Sequence, residues 1–393
     1  MSGPASVYLD YAATAPVDPR VAEVMAECLR GPAGNPSSVH PGGRRARARV
    51  ERARAQVAAL VSAAPAAIVF TSGATESDNL GVLGAARAAR DRGRHVVTSR
   101  TEHRAVLDAC RRLEREGFEV TWLRPGVDGR VLAEQVAEAL RPDTVLVALM
   151  HANNETGVVN EIPEIGRLCR GRGVLLHVDA AQTAGRIPVD VETLGADLVA
   201  FTAHKLGGPA GIGALYVRRE PRPALDPLLF GGGQEGGLRP GTLATHQPVG
   251  FGLACEIAAA ALPVEEPRVR ALRERLWSRL AVLDRVERNG AAEPSVPGIL
   301  NVFFAGVEGE SLLLELEGIV EASSGSACSS ARAEPSYVLR ALGRSDAAAQ
   351  ASLRLSLGRF TTAEEVDRAA AALVAAVRRL RALAPEGAME RVA

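Results

Sequence analysis

Between residues 66 and 217, short apolar runs alternate with helical stretches, and that alternation leaves few folds open. The runs "AAIVF" (66–70), "HVVTS" (95–99), "FEVTWL" (118–123), "TVLVALM" (144–150), "GVLLHVD" (173–179), "ADLVAFT" (196–202) and "GALYV" (213–217) read as strands. Segments between them, such as "ESDNLGVLGAARAARDRG" and "RAVLDACRRLEREG", carry helical patterning, and Gly117 stands where a helix C-cap belongs. Strands that are apolar along their whole length need both faces covered. The pattern therefore predicts an α/β protein with a mainly parallel, seven-stranded sheet.

The texture changes at about residue 256. A charged helix, "EEPRVRALRERLWSRLAVL", leads into "GILNVFF", "GIVEASSGSAC", "SLRLSLGRF" and a final helix, "TAEEVDRAAAALVAAVRRLRAL". We read residues 16–255 as a large domain, and residues 1–15 with 256–393 as a smaller α+β domain that the N-terminus completes.

With 47% hydrophobic and 23% charged residues the chain can bury a large core and does not fit a disordered class. Lys+Arg and Asp+Glu both total 46, so nothing in the charge balance asks for a nucleic acid or an anionic membrane, and neither is expected as a direct partner. The arginines of "GGRRARARVERAR" (42–54) fall at helical spacing and read as a solvated face. The N-terminus lacks the basic and apolar regions of a signal peptide, and no apolar run approaches the ~20 residues of a membrane span. Five cysteines without a CxxC pair suggest a reducing, cytoplasmic compartment, without disulfides or a metal site. Cys28, Cys110, Cys169 and Cys255 sit in helical patterns and read as small core residues. Cys328 does not: "SSGSACSS" (323–330) surrounds it with serines, a glycine and an alanine.

In open α/β sheets, ligands bind beyond the carboxyl ends of the strands. After "AAIVF" comes "TSGATESDN", a glycine turn opening a helix, whose free amides at Ala74 and Thr75 and the Thr75 hydroxyl suit an anion. The later strands end in "RTEHRAV" with His103, "HANNETG" with Asn153 and Asn154, "DAAQ" with Asp179 and Gln182, and "TAHK" with Thr202, His204 and Lys205. Any one of these could be a helix cap. Five successive strands ending in such groups point to chemistry. A lysine amine, a carboxylate, an imidazole and a phosphate cradle are what pyridoxal phosphate needs: a Schiff-base partner, a partner for the ring nitrogen, a stacking ring and an anion site.

The motifs "YLDYAATAPVDPR", "GNPSSVH", "FTSGATESDN", "TEHRAVLD", "HVDAAQ", "AHKLGGPAGIGALYVRR", "GGGQE", "RPGT", "SSGSAC", "EPSYVLRALG" and "SLRLSLGRF" occur in an order that resembles cysteine desulfurases with a long cysteine loop, of the class V pyridoxal-phosphate enzymes. The resemblance runs from about residue 7 to about residue 385. It implies the aspartate-aminotransferase-like fold, with the cysteine loop at about 321–333. Lys205 would hold the cofactor, Asp179 its ring nitrogen and Gln182 its ring hydroxyl, while His103 would stack on the ring and move protons. Ala74, Thr75, Thr202 and His204 would hold the phosphate, with Thr242 of "RPGT" reaching it from a second subunit of a homodimer. Asn154 and Arg354 would receive the carboxylate of L-cysteine, Asn154 also lying against the cofactor. Cys328 would take the substrate sulfur as a persulfide and pass it to an acceptor protein, an iron–sulfur scaffold or a sulfur carrier. The pattern departs from the family in Thr202, where serine is common, in Gly208 and Ala210, in Pro240, and in a shorter tail. Selenocysteine lyase or aminotransferase activity, sulfur delivery to tRNA or DNA modification, and a non-catalytic platform are the alternatives that the residues leave open.

Overall fold

The computed structural model describes residues 6–32, 34–324 and 334–383. The seven apolar runs form one sheet, in the spatial order Ile68–Thr71, Gly213–Val217, Leu198–Thr202, Leu175–Asp179, Thr144–Met150, His95–Ser99, Glu119–Leu123. The last five are mutually parallel, and Gly213–Val217 runs antiparallel to both its neighbours. The first strand starts two residues later than its apolar run because Pro65–Ala67 forms a 3-10 turn, which suits proline's fixed φ. Thr144–Met150 is buried at every position, as a strand covered on both faces must be. One core, with Phe70, Phe201 and Phe251, packs on one face of the sheet, and a second, with Leu80, Val106 and Leu113, packs on the other.

The helix after the first strand runs from Ala74 to Ala88 and widens into a π turn at Leu80–Gly84. Within that turn, a Cβ on Gly81 would lie 2.4 Å from His177 Nδ1, so only glycine admits this approach to the sheet. The Arg104–Arg115 helix ends as its sequence suggests, with Gly117 at φ +86°.

The second part of the chain builds a three-stranded antiparallel sheet from Val286–Arg288, Ile299–Phe304 and Ser352–Ser356, backed by the Ala363–Leu383 helix. The N-terminus returns to it: Val7–Tyr8 pairs in parallel with Val320–Glu321, and Tyr11 N donates to Ser356 O at 3.3 Å.

Three local expectations need correction. The charged helix expected at 265 begins at His246 and runs unbroken to Leu280. Pro263 and Pro267 are both exposed, so the carbonyls they leave unpaired face water and the helix passes through them. Phe251, Ala254 and Cys255 enter the sheet core, whereas Val269, Leu272 and Leu276 enter the core of the smaller sheet. By length and composition this helix could cross a membrane, yet its apolar residues are divided between those two cores. Cys110, Cys169 and Cys255 are buried, but Cys28 is only half-buried, with Arg49 Nη1 3.6 Å from its sulfur. Arg54 leaves the solvated face of its helix to form a two-pronged ion pair with Glu235 over the Phe70 ring.

Candidate active site

The carboxyl ends of the strands surround a cavity of ≈ 440 Å³, within the range of small-molecule sites. Ala74, Thr75, His103, Asn154, Asp179, Gln182, Thr202, His204, Lys205 and Arg354 all reach it. Thr242 does not; it lies exposed on the surface of this chain. Cys328 lies outside the described residues.

At one end of the cavity the chain turns at Ser72 and Gly73. Thr71 Oγ1 lies 2.7 Å from Ser77 Oγ, and Glu76 accepts from Ser72 N at 2.6 Å and from Arg239 Nε at 3.0 Å. These bonds hold the start of the helix so that the first-turn amides at Ala74 and Thr75, which have no intrahelical acceptor, open onto the cavity. Close approach is needed here: a Cβ on Gly213 would lie 2.6 Å from the Gly73 carbonyl carbon. The Thr202 hydroxyl is turned to Ile212 O at 3.1 Å. His204 Nδ1 is 3.2 Å from Thr14 Oγ1, and burial, then Lys205 and Arg186, push the imidazole down to about 4. Lys205 closes the short turn that follows Thr202.

Asp179 ends the Leu175–Asp179 strand, and its Oδ1 accepts from Ala181 N at 2.8 Å. His103 caps the next helix: Nδ1 accepts from Ala105 N at 3.2 Å, which assigns the ring proton of the neutral form to Nε2. Burial holds His103 below the ordinary histidine range, so it is neutral at neutral pH. Two acids lie deeper. Asp78 and Glu102 are fully buried and pushed far up, Asp78 by burial, then by Asp179 and Glu102, and Glu102 by burial. Asp78 Oδ1 lies 3.0 Å from His177 Nε2.

At the far end Arg354 is 3% exposed. Its Nη2 pairs with Asp10 Oδ1 at 2.8 Å, its Nη1 donates to Asn154 O at 3.1 Å, and its Nε has no partner among the described residues. Asn154 Oδ1 is likewise buried without a partner.

The described residues on either side of Cys328 are fastened to this end. Ser323 exchanges backbone hydrogen bonds with Arg354 at 2.7 and 3.3 Å. Ser336 Oγ donates to Glu155 Oε2, and Tyr337 Oη donates to Glu102 O at 2.9 Å. Burial pushes the Glu155 carboxyl from 4.5 up to about 7, against the pull of Ser336, Arg354 and Arg104. Between those two values the unfolded chain ionises while the folded one stays protonated. This contribution to stability is therefore whole below 4.5 and declines as pH rises to about 7, by about 3 kcal/mol in total. Glu155→Gln removes that decline. Its gain in melting temperature over wild type should grow from pH 4.5 to 7 and then level off; a gain independent of pH would mean that Glu155 does not fold as a neutral acid.

The donor set fits pyridoxal phosphate from end to end: amides and hydroxyls for a phosphate, a carboxylate and an amine in the middle, an imidazole beside them. Unpaired buried Nε and Oδ1 atoms remain at the end where a substrate would sit. Sequence reasoning missed Asp10, Asp78, Glu155 and Arg186. Asp10 stands inside "YLDYAATAP", but nothing local announces a partner 344 residues away.

This site on this sheet defines a class V pyridoxal-phosphate enzyme, and residues 7–369 match the Aminotransferase class-V family, to which the chain belongs. Within that class it belongs to the cysteine desulfurases. It is 56% identical to the cysteine desulfurase IscS of Aeromonas hydrophila, over 96% of this chain and 94% of that one. Among solved structures it resembles a NifS-like protein (TM-score 0.87, 35% identity, 96% of this chain and 99% of that one). It also resembles SspA in complex with cysteine (TM-score 0.80, 36% identity, 91% of this chain and 100% of that one).

Proposed function

We propose that this protein removes sulfur from L-cysteine, leaving L-alanine and a persulfide on Cys328. The observation that carries the reading is the convergence of Lys205, Asp179, His103 and Arg354 on one cavity, with Ser323, which precedes Cys328, bonded to the main chain of Arg354. Pyridoxal phosphate, when bound, supplies an electron sink for the bonds broken at the substrate's Cα and Cβ.

Lys205 would hold the cofactor through its amine and, with that amine free, would take the Cα proton. Asp179 holds the ring nitrogen in its protonated state. Ala74, Thr75 and His204 would hold the phosphate, with Thr202 joining them once its O–H turns from Ile212 O; His204, being neutral, would accept or donate there without adding charge. Arg354 grips the substrate carboxylate with the edge of its guanidinium that Asp10 and Asn154 O leave open. Asn154, which lines the cavity with its Oδ1 unpartnered among the described residues, would meet both the carboxylate and the cofactor. His103, with Nδ1 taken by Ala105 N and its proton on Nε2, would donate that proton beside the reacting sulfur and take one back at the same atom. The Cys328 thiolate attacks that sulfur. A sulfur–sulfur bond forms, the carbon–sulfur bond breaks, and its electron pair stays on the substrate carbon, which is protonated to give alanine.

The persulfide then passes to an acceptor protein, an iron–sulfur scaffold or a sulfur carrier. The protein works as a homodimer in the cytoplasm. The exposure of Thr242, away from its own chain's cavity, supports a role at a partner's phosphate site, and Phe230, 87% exposed nearby in sequence, supports a covered surface. Mass spectrometry of the Cys328 peptide after brief exposure to L-cysteine, without reductant, tests the chemistry. One added sulfur is expected in wild type and none in Lys205→Ala. Steady alanine or pyruvate production from an unmodified Cys328 would instead mean a lyase or an aminotransferase.

A further inference from the structure

Gln182 lines the cofactor cavity with both ends of its amide engaged by the protein. Its Oε1 accepts from Arg186 Nη1 at 2.7 Å, and its Nε2 donates to Ala12 O at 2.9 Å. A guanidinium offers five N–H donors and no acceptor, so the contact with Arg186 allows one orientation of the amide. Nε2 carries two hydrogens and Ala12 takes one. Beside the second lone pair of Oε1, Gln182 can therefore present its remaining Nε2–H to the cavity, and an oxygen that meets that N–H must accept.

Arg186 is itself held by neutral groups. Besides Gln182 it donates to Tyr11 O at 2.7 Å and to Lys205 O at 3.4 Å, and no ion pair to it occurs among the described residues. Burial lowers it only to about 10, with a smaller push from Arg354, so it stays a cation at neutral pH. One guanidinium thus ties the amide of Gln182 to the main chain of the N-terminal segment and of the lysine.

We propose that Arg186 is a positioning residue of the cofactor site, locking Gln182 as a hydrogen-bond donor so that the ring oxygen of pyridoxal phosphate is held as an anion. The inference rests on the pyridoxal-phosphate reading above. Without Arg186 only the bond to Ala12 O keeps the amide in this orientation, so turning the carbonyl oxygen to a ring oxygen that keeps a proton becomes less costly. A donor to that oxygen would favour loss of the neighbouring proton at the nitrogen joined to Lys205, because it stabilises the oxygen anion more once that proton is no longer shared with it.

The test is a pH titration of the visible absorbance of the bound cofactor in purified holoenzyme without substrate. Wild type, Arg186→Met, Gln182→Leu and the double variant are compared. In Arg186→Met the midpoint should rise by about one pH unit or more, the scale of one hydrogen bond to a charged acceptor, so the visible band should persist to higher pH than in wild type. In the Gln182→Leu background, Arg186→Met should add less than about 0.3 unit, because the two residues act as one device. An unmoved midpoint in Arg186→Met, or an equal shift in both backgrounds, overturns the proposal. If Arg186→Met does not accumulate folded, Gln182→Glu decides: it keeps Arg186 paired but has no N–H to present, so its midpoint must rise, and an unmoved one overturns the proposal. A wild-type protein that binds no pyridoxal phosphate would overturn the cofactor reading instead, whereas a titrating band indifferent to Arg186 would leave that reading standing.

Discussion

Lys205→Ala should purify colourless and form alanine from L-cysteine at least ~10³-fold more slowly than wild type, because one side chain serves as covalent anchor and as proton acceptor. Lys205 ends a three-residue turn immediately after the Leu198–Thr202 strand, on the edge of the cavity that Asp179 enters from the neighbouring strand. That strand is buried throughout and its hydrogen bonds do not involve the lysine amine, so the variant should fold. Absorbance spectra, cofactor content and an alanine assay check the expectation, with a melting curve to show that the sheet is intact. Turnover within tenfold of wild type would remove Lys205 from the chemistry.

The second large effect belongs to Arg354, whose replacement should damage both the site and the fold. Arg354→Met leaves Asp10 without its cation. Burial already pushes the Asp10 carboxyl up, with Arg354 opposing it, so the variant strands a partly buried acid. A loss of about 2 kcal/mol is expected, below the range for a fully buried pair because Asp10 keeps some exposure. For L-cysteine, kcat/KM should fall by about 10²-fold or more, mainly through KM, since the guanidinium meets the carboxylate before and during the reaction alike. Arg354→Lys keeps the charge but not the fork; it should recover much of the stability and little of the affinity. Kinetics and melting curves on both variants separate the two effects. An unchanged KM in Arg354→Met would place the carboxylate elsewhere.

The sheet and the groups at its strand ends were legible because they follow from local rules. A strand covered on both faces must be apolar throughout, and the residue after it must emerge at the sheet's edge. That logic found Asp179, His103, Thr75 and Lys205 one strand at a time. What it could not find depends on contacts remote in sequence. The pairing of Arg354 with Asp10, the clasp of Ser336 on Glu155, and the bridge from Arg186 to Tyr11 each join segments whose own patterns are ordinary. The Asp78–His177 contact was hidden differently: it requires Gly81 to admit the imidazole, and a glycine within a helical pattern does not say what it makes room for. The long helix starts well before the charged stretch that reads as its beginning, and it passes Pro263 because that proline faces water, which is not a local property.

The way the N-terminal residues are bound has a consequence for the order in which the protein can be made. Leu9, Asp10 and Tyr11 find their partners at Glu321, Arg354 and Ser356, and through Ala12 the same segment reaches Gln182. These residues thus dock late, since Asp10 waits for a partner synthesised 344 residues after it. The central sheet can assemble on the nascent chain, but the wall of the cavity that Asp10 and Ala12 complete closes only after translation has passed residue 356. Capture of the cofactor in its finished site therefore cannot precede the synthesis of Ser356.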